Sequence, residues 1–226
     1  KPKQATLIIS FIFLSFLFCA NAAENIAVVL KVRGEVTVTE ANSTEGKDVK
    51  KGYILQDGDK LETGPLSFCA IKFLDDKSLL RIKEKSTCVI EGKREQNAIE
   101  KNIFVEIGSF FTSLFKPKGK FKVTTPTSVA SVKGTQFWIL QLGQTGETRY
   151  ICIEGIIEVE NSAGKVLVKE GQTATVASRS RMPEVGLTKP GEIPSDEENQ
   201  SSARTLDVEF TDPNGQNKIL RIQIKE

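Results

Sequence analysis

The chain of 226 residues contains no histidine, so neither a Ser-His nor a Cys-His couple can be assembled and hydrolysis by those routes is excluded. Few other groups could do chemistry. Asp57 with Asp59, and Asp75 with Asp76, are the only clustered carboxylates placed to help hold Ca²⁺. Both pairs lie among turn-forming residues, where Asp ordinarily bonds nearby backbone, so they are read as plain turns. Cys69, Cys88 and Cys152 fall on the inward phase of strand-like runs and fit no zinc spacing. They are read as small buried hydrophobes, with a Cys69–Cys88 bridge as the alternative. Lys116, Lys118, Lys120 and Lys122 alternate in FKPKGKFKV. On an extended chain they would share one face and offer a ridge to a partner or an anionic group; Pro117 and Gly119 favour a solvated loop instead. The inventory points to binding rather than catalysis, with no metal and no cofactor.

The elements that would position such groups are strands. From Ile26 to Val176 no run sustains a 3.6-residue period over three turns, and β-branched or aromatic residues alternate in short stretches. Ile26–Thr39 reads as one kinked or bulged strand through Gly34, Glu40–Lys51 as a loop, Leu55–Gly64 as a Gly-Asp turn beside a short strand, and Phe68–Ile82 as a hairpin. Thr87–Glu91 is a further strand, and Gly92–Asn102 is charged and reads as exposed. The stretch FKVTTPTSVASVKGTQFWI, Phe121 to Ile139, is the richest in strand formers. Pro126 cannot donate to a ladder and marks an edge, a bulge or a strand start. Gly134 marks a bulge or a close backbone approach. Gly34, Gly108, Gly155 and Gly171 also fall inside or just before strand-like runs, a rhythm too loose for identical repeats. Short strands bent at glycine build an all-β two-sheet sandwich or a rolled, solenoid-like domain.

The stretch V-T-T-P-x-x-x-A-x-V-K-G-T-x-F, which holds Thr125, Pro126, Gly134, Thr135 and Phe137, resembles the central signature of the FecR periplasmic domain. Asp57–Gly64 is similar to that family's G-D-x-L-x-T-G segment, Cys152–Val159 with Glu154 and Gly155 to its V-x-E-G-x-V-x-V segment, and Glu170-Gly171-Gln172 to its terminal G-Q. The likeness runs in order over Ile26 to Val176. It departs at Asp75-Asp76-Lys77-Ser78, where the family has D-G-S. The resemblance implies an all-β periplasmic domain used in protein–protein contact, with those motif residues structural and Glu154 engaged in turn or cross-strand pairing. The best-known FecR-type proteins relay a signal from a TonB-dependent outer-membrane transducer to a cytoplasmic sigma factor. They do so through an anti-sigma segment and a membrane helix. Only a leader-like segment precedes the domain here, so that role is not carried over.

Lys1 and Lys3, the apolar run Ala5–Phe18 and Ala20-Asn21-Ala22 have the form of a cleaved signal peptide over residues 1–22. This implies a periplasmic or secreted protein whose mature form does not span a membrane. Without Lys1 and Lys3, basic and acidic side chains balance at 29 each, which argues against nucleic acid held by bulk charge. The β-domain occupies 23–176, and a Pro-rich acidic linker occupies 177–203. A C-terminal hairpin occupies 204–226, with Leu206, Val208 and Phe210 on one arm. A lone hairpin is marginal in water, so it docks on its own domain, a second copy or a partner. The reading is a non-enzymatic envelope module that binds or signals through an envelope protein; the alternative is a surface protein that binds cell-wall glycan. N-terminal sequencing of protein from its native host should find Ala23 first. An intact N-terminus in the membrane fraction would make residues 1–22 an anchor.

Overall fold

The computed structural model describes residues 24–115, 117–195, 203–211 and 217–225. The expected signal peptide, Lys116 and the turn of the C-terminal hairpin lie outside them. Residues up to Thr188 form one unit, and Lys189 onward a second.

The first unit is built from strands alone. They are β1 (Asn25–Arg33), β2 (Val36–Thr39), β3 (Gly46–Asp48), β4 (Ile54–Gln56), β5 (Asp59–Thr63), β6 (Phe68–Phe73), β7 (Leu79–Ile82), β8 (Thr87–Glu95) and β9 (Ala98–Ser113). The second half supplies β10 (Phe121–Thr124), β11 (Val129–Val132), β12 (Gln136–Gln141), β13 (Thr148–Glu154), β14 (Ile156–Asn161), β15 (Gly164–Lys169), β16 (Gln172–Val176) and β17 (Glu184–Leu187). They form two open layers. One runs β4-β1-β6-β7-β9-β12-β13-β16-β17, antiparallel throughout. The other runs β3-β2-β5-β8-β9-β10-β11-β14-β15, with β9–β10 its one parallel pair. β9 belongs to both. As far as Ile107 it pairs with β8, and from Gly108 it pairs with β12.

The chain changes layer again and again, and the glycine rhythm marks where. Gly34 separates β1 in the first layer from β2 in the second; Gly134, Gly155 and Gly171 do the same for β11/β12, β13/β14 and β15/β16. Ile26–Thr39 is therefore not one bulged strand but two strands in different sheets. Alternation keeps one phase of each strand inside. Ile71 and Phe73 of β6, Phe137 and Ile139 of β12, Val123 of β10 and Val159 of β14 meet in a single buried cluster drawn from both layers.

Three local readings change. Glu40–Lys51 carries the short strand β3 and the buried Val49. Gly92–Asn102 is exposed over Lys93–Asn97, as read, but it forms the turn and flanks of the β8–β9 hairpin, with Ile99 and Lys101 buried. Within the stretch read as linker, Glu184–Leu187 pairs with β16. Cys69, Cys88 and Cys152 are free and buried in the core, and the alternative Cys69–Cys88 bridge is not formed. Burial pushes the Cys69 thiol up to about 12 and drives that of Cys88 upward as well. Phe110 is buried and Phe111 packs on Trp138, whereas Phe115 stands exposed.

In the second unit a short 3-10 turn covers Pro190–Glu192, and β18 (Ala203–Thr211) pairs antiparallel with β19 (Asn217–Lys225). Leu206 stands opposite Ile222 and Val208 opposite Leu220.

Val132 is 9% exposed and belongs to the shared core. Val132→Asp places an unpaired charge there and should cost roughly 3 kcal/mol or more. A thermal melt within a few degrees of wild type would contradict that placement.

Candidate functional site

The T-P turn joins β10 to β11 and is a knot of buried hydroxyls. The Thr125 N–H donates to the Ser128 carbonyl at 2.9 Å, closing the turn. Thr127 Oγ1 lies 2.6 Å from Thr148 Oγ1, which donates to Gln141 Oε1 at 2.5 Å and lies 3.1 Å from Thr125 Oγ1. Ser128 Oγ lies 3.1 Å from the Tyr150 hydroxyl, and burial pushes that hydroxyl's pKa up to about 12. Thr148 and Tyr150 are on β13 and Gln141 ends β12, so the knot ties the β10–β11 turn of one layer to two strands of the other. Buried hydroxyls need such partners, because an unpaired one costs about 1–3 kcal/mol. Pro126 sits at the tip, where no ladder partner is required of it, and its carbonyl accepts from Arg179 Nε.

The two remaining signature segments meet each other. Gly134 has φ 67° and Gly155 φ 92°. A Cβ on Gly155 would lie 3.0 Å from the Gly134 carbonyl oxygen and 3.1 Å from Thr135 Oγ1, whereas a Cβ on Gly134 would meet nothing within 4 Å. The crowded glycine is therefore Gly155, and Gly134 is held to glycine by conformation alone. Thr135, fully buried, donates from Oγ1 to the Ile156 carbonyl at 3.0 Å and so binds the crossing from the other side. Phe137 lies wholly in the core. Glu154 is exposed and accepts from Gln136 Nε2 at 2.7 Å across the β12–β13 pair.

The lysines separate. Residues 117–120 are loop, so Lys118, Lys120 and Lys122 do not share one extended face. Lys120 pairs with Glu100 at 2.9 Å, and Lys122, on β10, stands between Asn102 and Ser131. Both line a groove of about 970 Å³ with Glu91, Lys93, Asn102 and Thr124 on the outer side of the second layer. Asn102 Nδ2 donates to Glu91 at 2.6 Å and its Oδ1 accepts from Thr124 at 2.8 Å. Glu91, Asn102, Lys122, Ser131 and Glu158 form one cross-strand row over five strands. Leu206, Val208 and Phe210 belong to β18 in the other unit.

A charged cluster that the sequence did not announce lies beside the groove. Lys101 Nζ donates to Asp75 Oδ2 at 2.8 Å and Asp76 Oδ2 at 2.7 Å, and to the carbonyls of Ile99 and Lys118 at 3.2 Å each. The three side chains are 0%, 2% and 1% exposed. Burial alone would raise the Asp76 carboxyl; hydrogen bonds from Lys101 and Ser78 hold it below its usual value. In the family's D-G-S turn the middle position is glycine. Here Lys77 takes the left-handed conformation, φ 65°, while Asp75 and Asp76 turn inward. Among the described residues, no group of three or more His, Cys, Asp or Glu is placed to hold a metal.

Residues 59–158 match the family model described as FecR protein. The chain thus carries a FecR domain over those residues, where its central motifs lie. No curated protein matches the chain. Two crystal structures, each described as a "putative anti-sigma factor" from Parabacteroides distasonis ATCC 8503, are distant likenesses. One is 12% identical with a TM-score of 0.48, covering 69% of this chain and 70% of that one. The other is 14% identical with a TM-score of 0.38, covering 67% and 60%. Among the described residues no helix is long and apolar enough to cross a membrane.

The Gly134–Gly155 crossing yields a graded test. Gly134→Ala should cost only the left-handed backbone penalty, about 1–2 kcal/mol. Gly155→Val adds contact with backbone and should cost at least about 2 kcal/mol more than that. Equal losses in denaturant melts would show that the two chains do not cross closely.

Proposed function

We propose that the β-domain is a non-enzymatic binding module of the cell envelope, which receives or passes a signal through protein–protein contact. The FecR domain at 59–158 carries this reading. The geometry supports it by where it leaves room. The signature residues Thr125, Thr135 and Phe137 are buried, so they build the scaffold. The groove along β8, β9 and β10 presents an outward polar surface. Its lining mixes acids, lysines and amides, the composition of a rim that recognises a complementary protein face. No aromatic ring is among the residues that line it, so it offers no flat apolar platform for a sugar, which favours a protein over cell-wall glycan. Export to the periplasm, through the segment 1–22, is part of the proposal.

A photo-crosslinking residue at Lys122 should trap a discrete envelope protein, and one at Glu147, on the β12–β13 turn, should not. The double variant Lys120→Glu, Lys122→Glu should lower the yield at Val129, beside the groove, by about tenfold, the scale of losing close charge pairs, with the melting temperature kept. Equal adducts at Lys122 and Glu147, or a yield untouched by charge reversal, would remove the groove from the proposal.

A further inference from the structure

Lys101, Asp75 and Asp76 form a site that the binding role does not use, and its chemistry is of another kind. An amine and two carboxyl groups are held in contact out of water, 2.8 and 2.7 Å apart, with the Phe73 ring 5.5 Å from Nζ as one wall. The two acids are not equivalent. Both oxygens of Asp76 are engaged: Oδ1 accepts from the Ser78 N–H, and Oδ2 from the Lys118 N–H and Lys101. Asp75 Oδ2 accepts from Lys101 and from the Ile99 N–H at 2.9 Å. Asp75 Oδ1 is buried with no hydrogen-bond partner among the described residues. A bare carboxylate oxygen in such a place is costly.

We propose that Lys101 and Asp75 condense into an intramolecular amide that joins the β6–β7 turn to the start of β9. A proton passes from Lys101 Nζ to Asp75 Oδ2 along their 2.8 Å contact. The neutral amine then adds through its lone pair to Asp75 Cγ. The nitrogen gives its next proton to the Asp76 carboxylate, with which it is already in contact, and Asp76 passes it to the departing Oδ2 hydroxyl. The Cγ–Oδ2 bond breaks, one water leaves, and Asp76 is again a carboxylate. Asp75 Oδ1 remains as the amide oxygen. No oxidant, metal or co-reactant enters. Proximity supplies most of what such a step needs, since reacting groups fixed in contact behave as if at very high concentration. The product replaces a buried ion pair with a neutral group.

The test is the mass of the full chain, purified and denatured. It should fall short of the sequence mass by one water. Dehydration at Asp57-Gly58 would give the same deficit, so the link is located by trypsin. A branched peptide should join Phe73–Lys77 to the segment containing Lys101, with no cleavage after Lys101, and fragmentation should put the branch at Asp75. Asp76→Asn, folded by its melting transition, should stay unbranched for want of the proton carrier. Recovery of a linear Phe73–Lys77 peptide together with normal cleavage after Lys101 would overturn the proposal, and so would a branch at Asp76. An Asp76→Asn protein that branches as fast as wild type would overturn the role given to Asp76.

Discussion

At β1/β2, β11/β12, β13/β14 and β15/β16 this chain leaves one sheet and enters the other across a corner of one to three residues that contains a glycine. That single requirement explains more of the structure than any individual contact. A strand leaving a layer has to reverse its inward phase, and an L-residue resists the left-handed backbone that does so most compactly. Gly134 and Gly155 meet the requirement side by side, where β11 passes into β12 and β13 into β14. Because the two corners touch, with the Gly134 carbonyl against the Gly155 α-carbon, the layers are registered to each other at a backbone crossing as well as by side-chain packing. Once the crossing is set, Phe137 and Ile139 point to the same interior as Ile157 and Val159, and the core closes from both sides.

The hydroxyl knot beneath the T-P turn serves the same constraint by other means. β10 and β11 belong to one layer, Thr148 and Tyr150 to the other. A purely apolar contact there would leave several turn N–H and C=O groups dry and unpaired. Short hydroxyl side chains satisfy them and each other, and their directional bonds admit fewer arrangements than hydrocarbon packing does.

Much of this was legible in the sequence because it is local. Alternation identifies β6 and β7 by Ile71, Phe73, Leu80 and Ile82, and the glycine positions announce bends even where they do not say toward what. What could not be read depends on partners far along the chain. Lys101 lies in a run of charges from Lys93 to Lys101 that looks like a solvated surface. Only its meeting with Asp75 and Asp76, brought in by another hairpin, makes burial tolerable. β17 is four residues, Glu-Val-Gly-Leu, between Pro183 and Pro190, too short to outweigh its flanks until β16 offers an edge. Lys77 stands where a glycine was expected, and the Asp76 carboxylate, which accepts from the Ser78 N–H and is anchored by Lys101, holds the left-handed turn against the lysine's own preference.

The placement of the motif residues also separates fold from recognition. Thr125, Thr135 and Phe137 are buried, Gly134 and Gly155 are held by backbone geometry, and Glu154 is spent on Gln136. None is free to choose a partner. The row Glu91, Asn102, Lys122, Ser131 and Glu158, which the proposed function uses, occupies the outward phase of strands whose inward phase is the core. Outward positions change without disturbing the interior, because the two phases of a strand face opposite sides of the sheet. A scaffold of this kind can therefore keep one signature while its outer rows are rewritten for different partners. Under the proposed binding role, specificity is to be sought in the side chains that the signature does not contain.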